Sequence, residues 1–135
     1  MATWLVKTEP STYSFSNLEK AGKTRWDWVG NPLPLKHIRA IAKGDAVFVY
    51  HTGDEKQIVG LARAESSPYP DPKSRDPRPA AFDLAPVRAL KKPVTLDAIK
   101  AEPKLKDMIL VNNTRLSVQP VTDAEWKIVC KMGGL

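Results

Sequence analysis

Residues 45–64 read DAVFVYHTGDEKQIVGLARA, and this stretch decides what kind of fold the chain adopts. Residues 45–51 and 57–64 are rich in β-branched and aromatic side chains, whereas the loop between them, TGDEK, is polar. Two such runs joined by a short polar loop predict an antiparallel β-hairpin. This hairpin is the strongest β-structure prediction in the chain.

Four further segments have the composition of strands. Pro86 interrupts one of them and indicates either an edge strand or a bulge, because proline cannot donate a hydrogen bond to a sheet. Residues 66–79 contain five prolines and are predicted to form a long surface loop. The predicted strands are TWLVK at 3–7, TRWDW at 24–28, AFDLAPVRAL at 81–90 and RLSVQPV at 115–121.

Capping residues and helical spacing predict four short helices. Ser16 with Glu19 has the spacing of a capping box, as does Thr122 with Glu125. Thr95 is expected to cap a helix over 96–102, and residues 34–44 carry apolar side chains at helical spacing. The last helix presents one apolar stripe and is expected to end at Gly133; the stripe consists of Trp126, Val129 and Cys130.

The order of these elements predicts an α+β fold in a single domain, 1–135, with five to six strands curling into a small mixed barrel flanked by short helices. A doubly wound parallel sheet is not expected, since the chain has no glycine-rich phosphate loop of either the P-loop or the dinucleotide-binding kind.

Composition narrows the functional classes. The chain has 135 residues, a net charge of +6 and a pI near 9.5, which favours phosphate-rich partners. No apolar run is long enough for a membrane helix and no signal peptide is visible, so a cytoplasmic protein is expected. A single cysteine and two histidines offer no closed zinc site, and we expect neither metal nor cofactor.

The residue types needed for nucleophilic catalysis are present, but their spacing in the sequence does not match a catalytic motif. Ser117 is not in a Gly-x-Ser-x-Gly turn, and Cys130 belongs to an apolar helix stripe. We therefore expect no enzyme, with a hydrolase or nuclease using His51 as the weaker alternative. Several aromatic residues lie near the ends of predicted strands. Their side chains could form a stacking platform for bases or pack in the core, and the sequence leaves both interpretations open.

Seven ordered blocks of the sequence are similar to the EVE-domain family: WLVKTEPSTYSFSNL, RWDWVGN, GDAVFVYHTG, IVGLARA, YPDP, PVTLDAIKAEPKLKDMILV and RLSVQPVTDAEW. The resemblance covers nearly the whole chain. It implies a PUA-like barrel that recognises a modified base in DNA or RNA through an aromatic-lined pocket, without catalysis. A small-molecule or nucleotide sensor using the same pocket is the alternative, and a monomer is favoured.

The resemblance also implies the residues of that pocket. The chain departs from the family at Trp28, where a glycine is usual, and at Gly30, where an arginine is common; whether Trp28 lines the pocket is left open. The family motifs are carried over position by position, and Trp28 is added because its ring could replace the aromatic residue that the chain lacks beside the site. The expected ligand-binding residues are then Lys7, Thr8, Glu9, Ser11, Tyr13, Trp26, Trp28, Asn31, Tyr50, His51, Arg115 and Ser117.

Overall fold

The computed structural model describes residues 3–11, 13–27, 41–66, 69–70, 80–112 and 118–134, leaving aside the side chains of residues 25–27, 70, 80 and 81. Its strands are β1 (Thr3–Thr8), β2 (Thr24–Asp27), β3 (Ala46–His51), β4 (Gln57–Ala64), β5 (Tyr69–Pro70), β6 (Ala80–Thr95) and β7 (Val118–Val121). Its helices are α1 (Phe15–Ala21), α2 (Leu96–Ala101), α3 (Ile109–Asn112) and α4 (Asp123–Met132), with a 3-10 turn at Pro103–Leu105.

The strands form one mixed sheet in the order β2-β6-β4-β3-β1-β7, with β5 paired to β6. The predicted hairpin is confirmed as the antiparallel pair of β3 and β4. β1 lies between β3 and β7, parallel to β3 and antiparallel to β7. The α+β class is therefore confirmed. Among the described residues the sheet runs open from β2 to β7, so closure into a barrel stays a prediction.

Apolar side chains cover both faces of this sheet and form two cores. The α1 core packs beneath helix α1 and contains Trp4, Val6, Phe15, Leu18, Ile41, Val47, Val49, Ala62, Ala64, Phe82, Leu84 and Val118. The α2–α4 core packs beneath the other helices and contains Leu5, Phe48, Tyr50, Ile58, Leu90, Val94, Ile99, Leu105, Met108, Leu110, Val121 and Val129. Successive residues of β1 and β3 alternate between the two cores, as a strand requires.

Helix ends agree with the sequence in part. The capping box of Thr122 with Glu125 is confirmed, and Thr95 caps α2 as predicted. The prediction for α1 was wrong by two residues: Ser14, not Ser16, is the N-cap, and it forms a capping box with Asn17. Asn17 meets the same need as a glutamate at this position, because its side-chain oxygen accepts the hydrogen bond from the Ser14 N–H at 2.8 Å.

Strand β6 is longer than predicted and spans 16 residues. It is an interior strand, pairing with both β2 and β4. Its register against β4 shifts between Leu61 and Ala62, opposite Arg88 and Pro86, which is a bulge. Among the described strands, β2 pairs only with residues 81–84 of β6, so Pro86 is also paired on one side only, as in an edge strand. No helix among the described residues is long and apolar enough to cross a membrane.

Gly60 shows how closely α1 packs on the sheet. A Cβ atom built on Gly60 lies only 2.4 Å from Cζ of Phe15. Phe15 is the first residue of α1 and is buried, so its ring rests directly on the β4 backbone. Only a residue without a side chain permits this contact.

We expect Gly60→Ala to lower the free energy of unfolding by about 1–3 kcal/mol, because the added methyl group overpacks the α1 core. Urea unfolding measures the change. A Phe15→Leu background provides the control, since the smaller side chain leaves room and the two effects should not add. Additive losses in the double variant would show that the Phe15 contact is not the cause.

Candidate nucleic-acid interface

Strands β1 and β3 end side by side and carry four of the predicted site residues to one edge of the sheet: Lys7, Thr8, Tyr50 and His51. Their parallel register runs from Thr3 opposite Ala46 to Thr8 opposite His51. Because side chains alternate along a strand, the last two residue pairs point to opposite faces. Thr8 and His51 belong to the α1 side, whereas Lys7 and Tyr50 belong to the α2–α4 side.

His51 joins α1 to the β3–β4 hairpin. Its Nε2 atom accepts a hydrogen bond from the Phe15 N–H at 3.0 Å, and Nδ1 lies 2.9 Å from Oε1 of Glu55. An acceptor at Nε2 places the ring proton on Nδ1, so the imidazole is neutral and donates to Glu55. This hydrogen bond lowers the pKa of the Glu55 carboxyl. Both ring nitrogens of His51 are thus used within the protein.

The loop after β1 is held in a compact turn at the same edge. Thr8 Oγ1 donates to the Tyr13 carbonyl at 2.7 Å, and the Tyr13 N–H donates to the Glu9 carbonyl at 2.8 Å. The Glu9 carboxylate accepts hydrogen bonds from the Ser11 N–H and hydroxyl at 3.3 and 3.2 Å. Glu9 and Ser11 are exposed and Tyr13 is half-buried, so this loop presents polar groups to solvent.

Lys7 and Tyr50 meet on the opposite face. The Lys7 Nζ atom lies 5.7 Å from the centre of the Tyr50 ring, within the range of a cation–π contact. Only 7% of Lys7 and 4% of Tyr50 are exposed. Burial lowers the pKa of Lys7. Burial also raises the pKa of Tyr50, with a smaller contribution from the charge of Asp97.

Lys7 and Tyr50 line a cavity of about 350 Å³, which we name the lysine pocket. Its wall is completed by the β3–β4 hairpin loop and by helices α2 and α3. The lining residues are Lys7, Tyr50, Thr52, Gly53, Lys56, Leu96, Lys100 and Leu110. Six of these eight were not predicted. They come from separate parts of the chain, and no short motif links them.

The other predicted contacts lie partly or wholly outside the described residues. Trp26 belongs to β2, where its backbone pairs in register with Phe82. Its side chain is outside the description, as are residues Trp28, Asn31, Arg115 and Ser117. Their positions relative to Thr8 and His51 lie outside the described residues, and their place in a common pocket stays a prediction. The question of whether Trp28 joins the pocket also stays open.

The family model for the EVE domain matches residues 2–132. The chain belongs to the EVE domain family. Human thymocyte nuclear protein 1 is 29% identical over 163 residues, an alignment that covers 96% of this chain and 72% of the relative.

Two solved structures are similar to this EVE domain over its whole length. Rpa0253 from Rhodopseudomonas palustris is 46% identical, with a TM-score of 0.95 over 99% of this chain and 94% of that one. Human THYN1, solved in complex with DNA containing 5-methylcytosine, is 28% identical, with a TM-score of 0.90 over 100% of this chain and 99% of that one.

The part of this EVE domain that the structure describes offers few side chains for nucleophilic or metal chemistry. Cys130 is half-buried on α4, and burial raises the pKa of its thiol, which opposes formation of a nucleophilic thiolate. Where the chain is described, no three His, Cys, Asp or Glu side chains gather as a metal site requires.

We expect His51→Ala to lower the free energy of unfolding by about 1–3 kcal/mol, because the buried Phe15 N–H loses its acceptor. Hydrogen exchange at the Phe15 amide should quicken in the same variant. Glu55→Gln is the matched comparison: it leaves the Phe15 contact intact and replaces only the exposed partner of Nδ1, so its effect should be smaller. Equal losses in the two variants would contradict the assigned role of Nε2.

Proposed function

We propose that this EVE domain binds DNA and recognises a modified base without catalysing a reaction. One observation carries the proposal: the chain matches, from end to end, the fold of human THYN1 solved with DNA containing 5-methylcytosine. The net charge of +6 agrees with a DNA partner, since cationic side chains gain free energy by releasing counterions from phosphates.

We assign base recognition to the edge of the sheet where β1 and β3 end. A base taken out of the DNA stack needs aromatic rings against its faces and hydrogen-bond partners along its edge. The loop carrying Glu9, Ser11 and Tyr13 offers polar groups there. The stacking rings and remaining edge contacts are proposed to come from Trp26, Trp28, Asn31, Arg115 and Ser117.

The hydrogen bonds of Thr8 and His51 give these two residues a positioning role in this proposal. Thr8 and His51 fix the start of α1 and the loop before it, and so hold that loop at the edge of the sheet. A nuclease or hydrolase using His51 as base is disfavoured, because Nε2 already accepts a hydrogen bond from Phe15 and Nδ1 carries the proton.

The proposal also covers the fold, domain organisation, oligomeric state and location of the chain. We retain a PUA-like barrel, a single domain over 1–135, a monomer and a cytoplasmic location. The match of one family model to residues 2–132 supports the single domain. RNA is retained as an alternative target, which binding measurements separate from DNA.

The test compares oligonucleotides that differ only in carrying 5-methylcytosine or cytosine, as single strands, duplexes and RNA, by fluorescence anisotropy at several fixed salt concentrations. We expect tighter binding to methylated DNA by about 5- to 150-fold, because shape discrimination of one methyl group contributes roughly 1–3 kcal/mol. Trp26→Leu should abolish this preference. Trp126→Leu is the matched control, since Trp126 stacks on Phe48 in the α2–α4 core, with ring centres 3.8 Å apart.

Equal affinity for methylated and unmethylated oligonucleotides at every salt concentration contradicts recognition of 5-methylcytosine. Binding of a free nucleotide with little salt dependence, and no binding of oligonucleotides, would instead favour the alternative of a small-molecule sensor.

A further inference from the structure

The lysine pocket lies on the face of the sheet opposite Thr8 and His51. Its floor is the end of the β1–β3 pair, through Lys7 and Tyr50. One wall is the hairpin loop with Thr52, Gly53 and Lys56. The other walls are α2 and α3, which contribute Leu96, Lys100 and Leu110. Its volume of about 350 Å³ is within the range of small-ligand sites.

The charged residues among its lining residues are all lysines. Lys56 and Lys100 are exposed at the rim, whereas Lys7 is almost fully buried at the floor. Burying an ammonium group costs free energy, and the lowered pKa of Lys7 reflects this cost. Lysine ammonium groups attract an anion as point charges.

Lys56 adds an independent observation, because its backbone is in the left-handed region with φ of 46°. Glycine or asparagine is preferred there, and other side chains are strained. The conformation has a structural use, since the Lys56 carbonyl accepts the Leu96 N–H at 2.8 Å and ties the hairpin loop to the start of α2. A lysine at this position places its cationic side chain in the lining of the pocket at the expense of backbone strain.

We propose that the lysine pocket binds a phosphate group, and that the DNA backbone supplies it. The inference rests on the proposed function, because it assumes that DNA reaches the edge where β1 and β3 end. Both the pocket and the loop that carries Glu9, Ser11 and Tyr13 lie at that edge. A strand crossing the edge can place a base on one side and a backbone phosphate on the other.

The lining favours a phosphate with its sugar over a second base. Stacking needs an accessible ring face, and Tyr50 is only 4% exposed with Lys7 already over its ring. Leu96 and Leu110 provide apolar surface for a sugar. A phosphate contact of this kind positions DNA without reading its sequence.

Lys100→Gln tests the proposal, with Lys127→Gln as the matched control because Lys127 is an exposed helix lysine outside the pocket. Binding of methylated and unmethylated duplexes is measured across a range of salt concentrations. We expect Lys100→Gln to weaken binding of both duplexes equally, by about three- to tenfold, and to reduce the slope of log affinity against log salt by about 0.9. Lys127→Gln should leave both quantities close to those of the unsubstituted protein.

Lys56→Asn is a second variant that separates binding from folding. Asparagine tolerates the left-handed backbone, so the midpoint of thermal unfolding should stay the same or rise, while the salt slope falls as for Lys100→Gln. An unchanged slope and affinity in both Lys56→Asn and Lys100→Gln would overturn the proposal. So would an equal loss in Lys127→Gln, which would indicate a diffuse charge effect.

Failure of base recognition gives a different result from failure of the phosphate site. If neither duplex is preferred but the slope still falls only in the two pocket variants, the phosphate site stands and base recognition fails. Deoxycytidine monophosphate distinguishes the source of the phosphate. Loss of its binding in Lys100→Gln with unchanged duplex binding would overturn the assignment to the DNA backbone.

Discussion

The parallel pairing of β1 with β3 is the interaction on which the rest of the structure depends. It inserts the first strand of the chain between the hairpin and β7, and it ends both strands at one edge. Parallel strands in register also align their side-chain alternation. As a result, each face of the sheet near this edge has its own pair of polar residues, Thr8 with His51 and Lys7 with Tyr50, and each pair meets different helices.

The two pairs have different structural roles, because their side chains have different surroundings. The hydrogen bonds of Thr8 and His51 are made to the loop and helix on the α1 side, so these side chains maintain the shape of a surface. Lys7 and Tyr50 line an open cavity beneath α2. In the proposed function, the same edge combines a hydrogen-bonded loop with a concave basic site, which suits contact with both a base and the backbone of DNA.

The net charge of the chain and the charge of the lysine pocket give different information about the proposed DNA partner. The excess of six positive charges favours long-range attraction of DNA and does not indicate where DNA would bind. The lysine pocket is local, because a left-handed residue, a strand end and a helix bring three ammonium groups to one cavity.

The sequence by itself determined most of the elements and much of the local chemistry. The hairpin of β3 and β4 and the caps at Thr95 and Thr122 follow from patterns within a few residues. The start of α1 was misplaced because Ser14 and Ser16 both offer a capping oxygen, and only the packing of Phe15 selects between them. Tertiary structure alone decided which face of the sheet each of Tyr50 and His51 takes, and that Lys7, Lys56 and Lys100 line one pocket. Such groupings depend on strand pairing between distant segments, which local spacing does not encode.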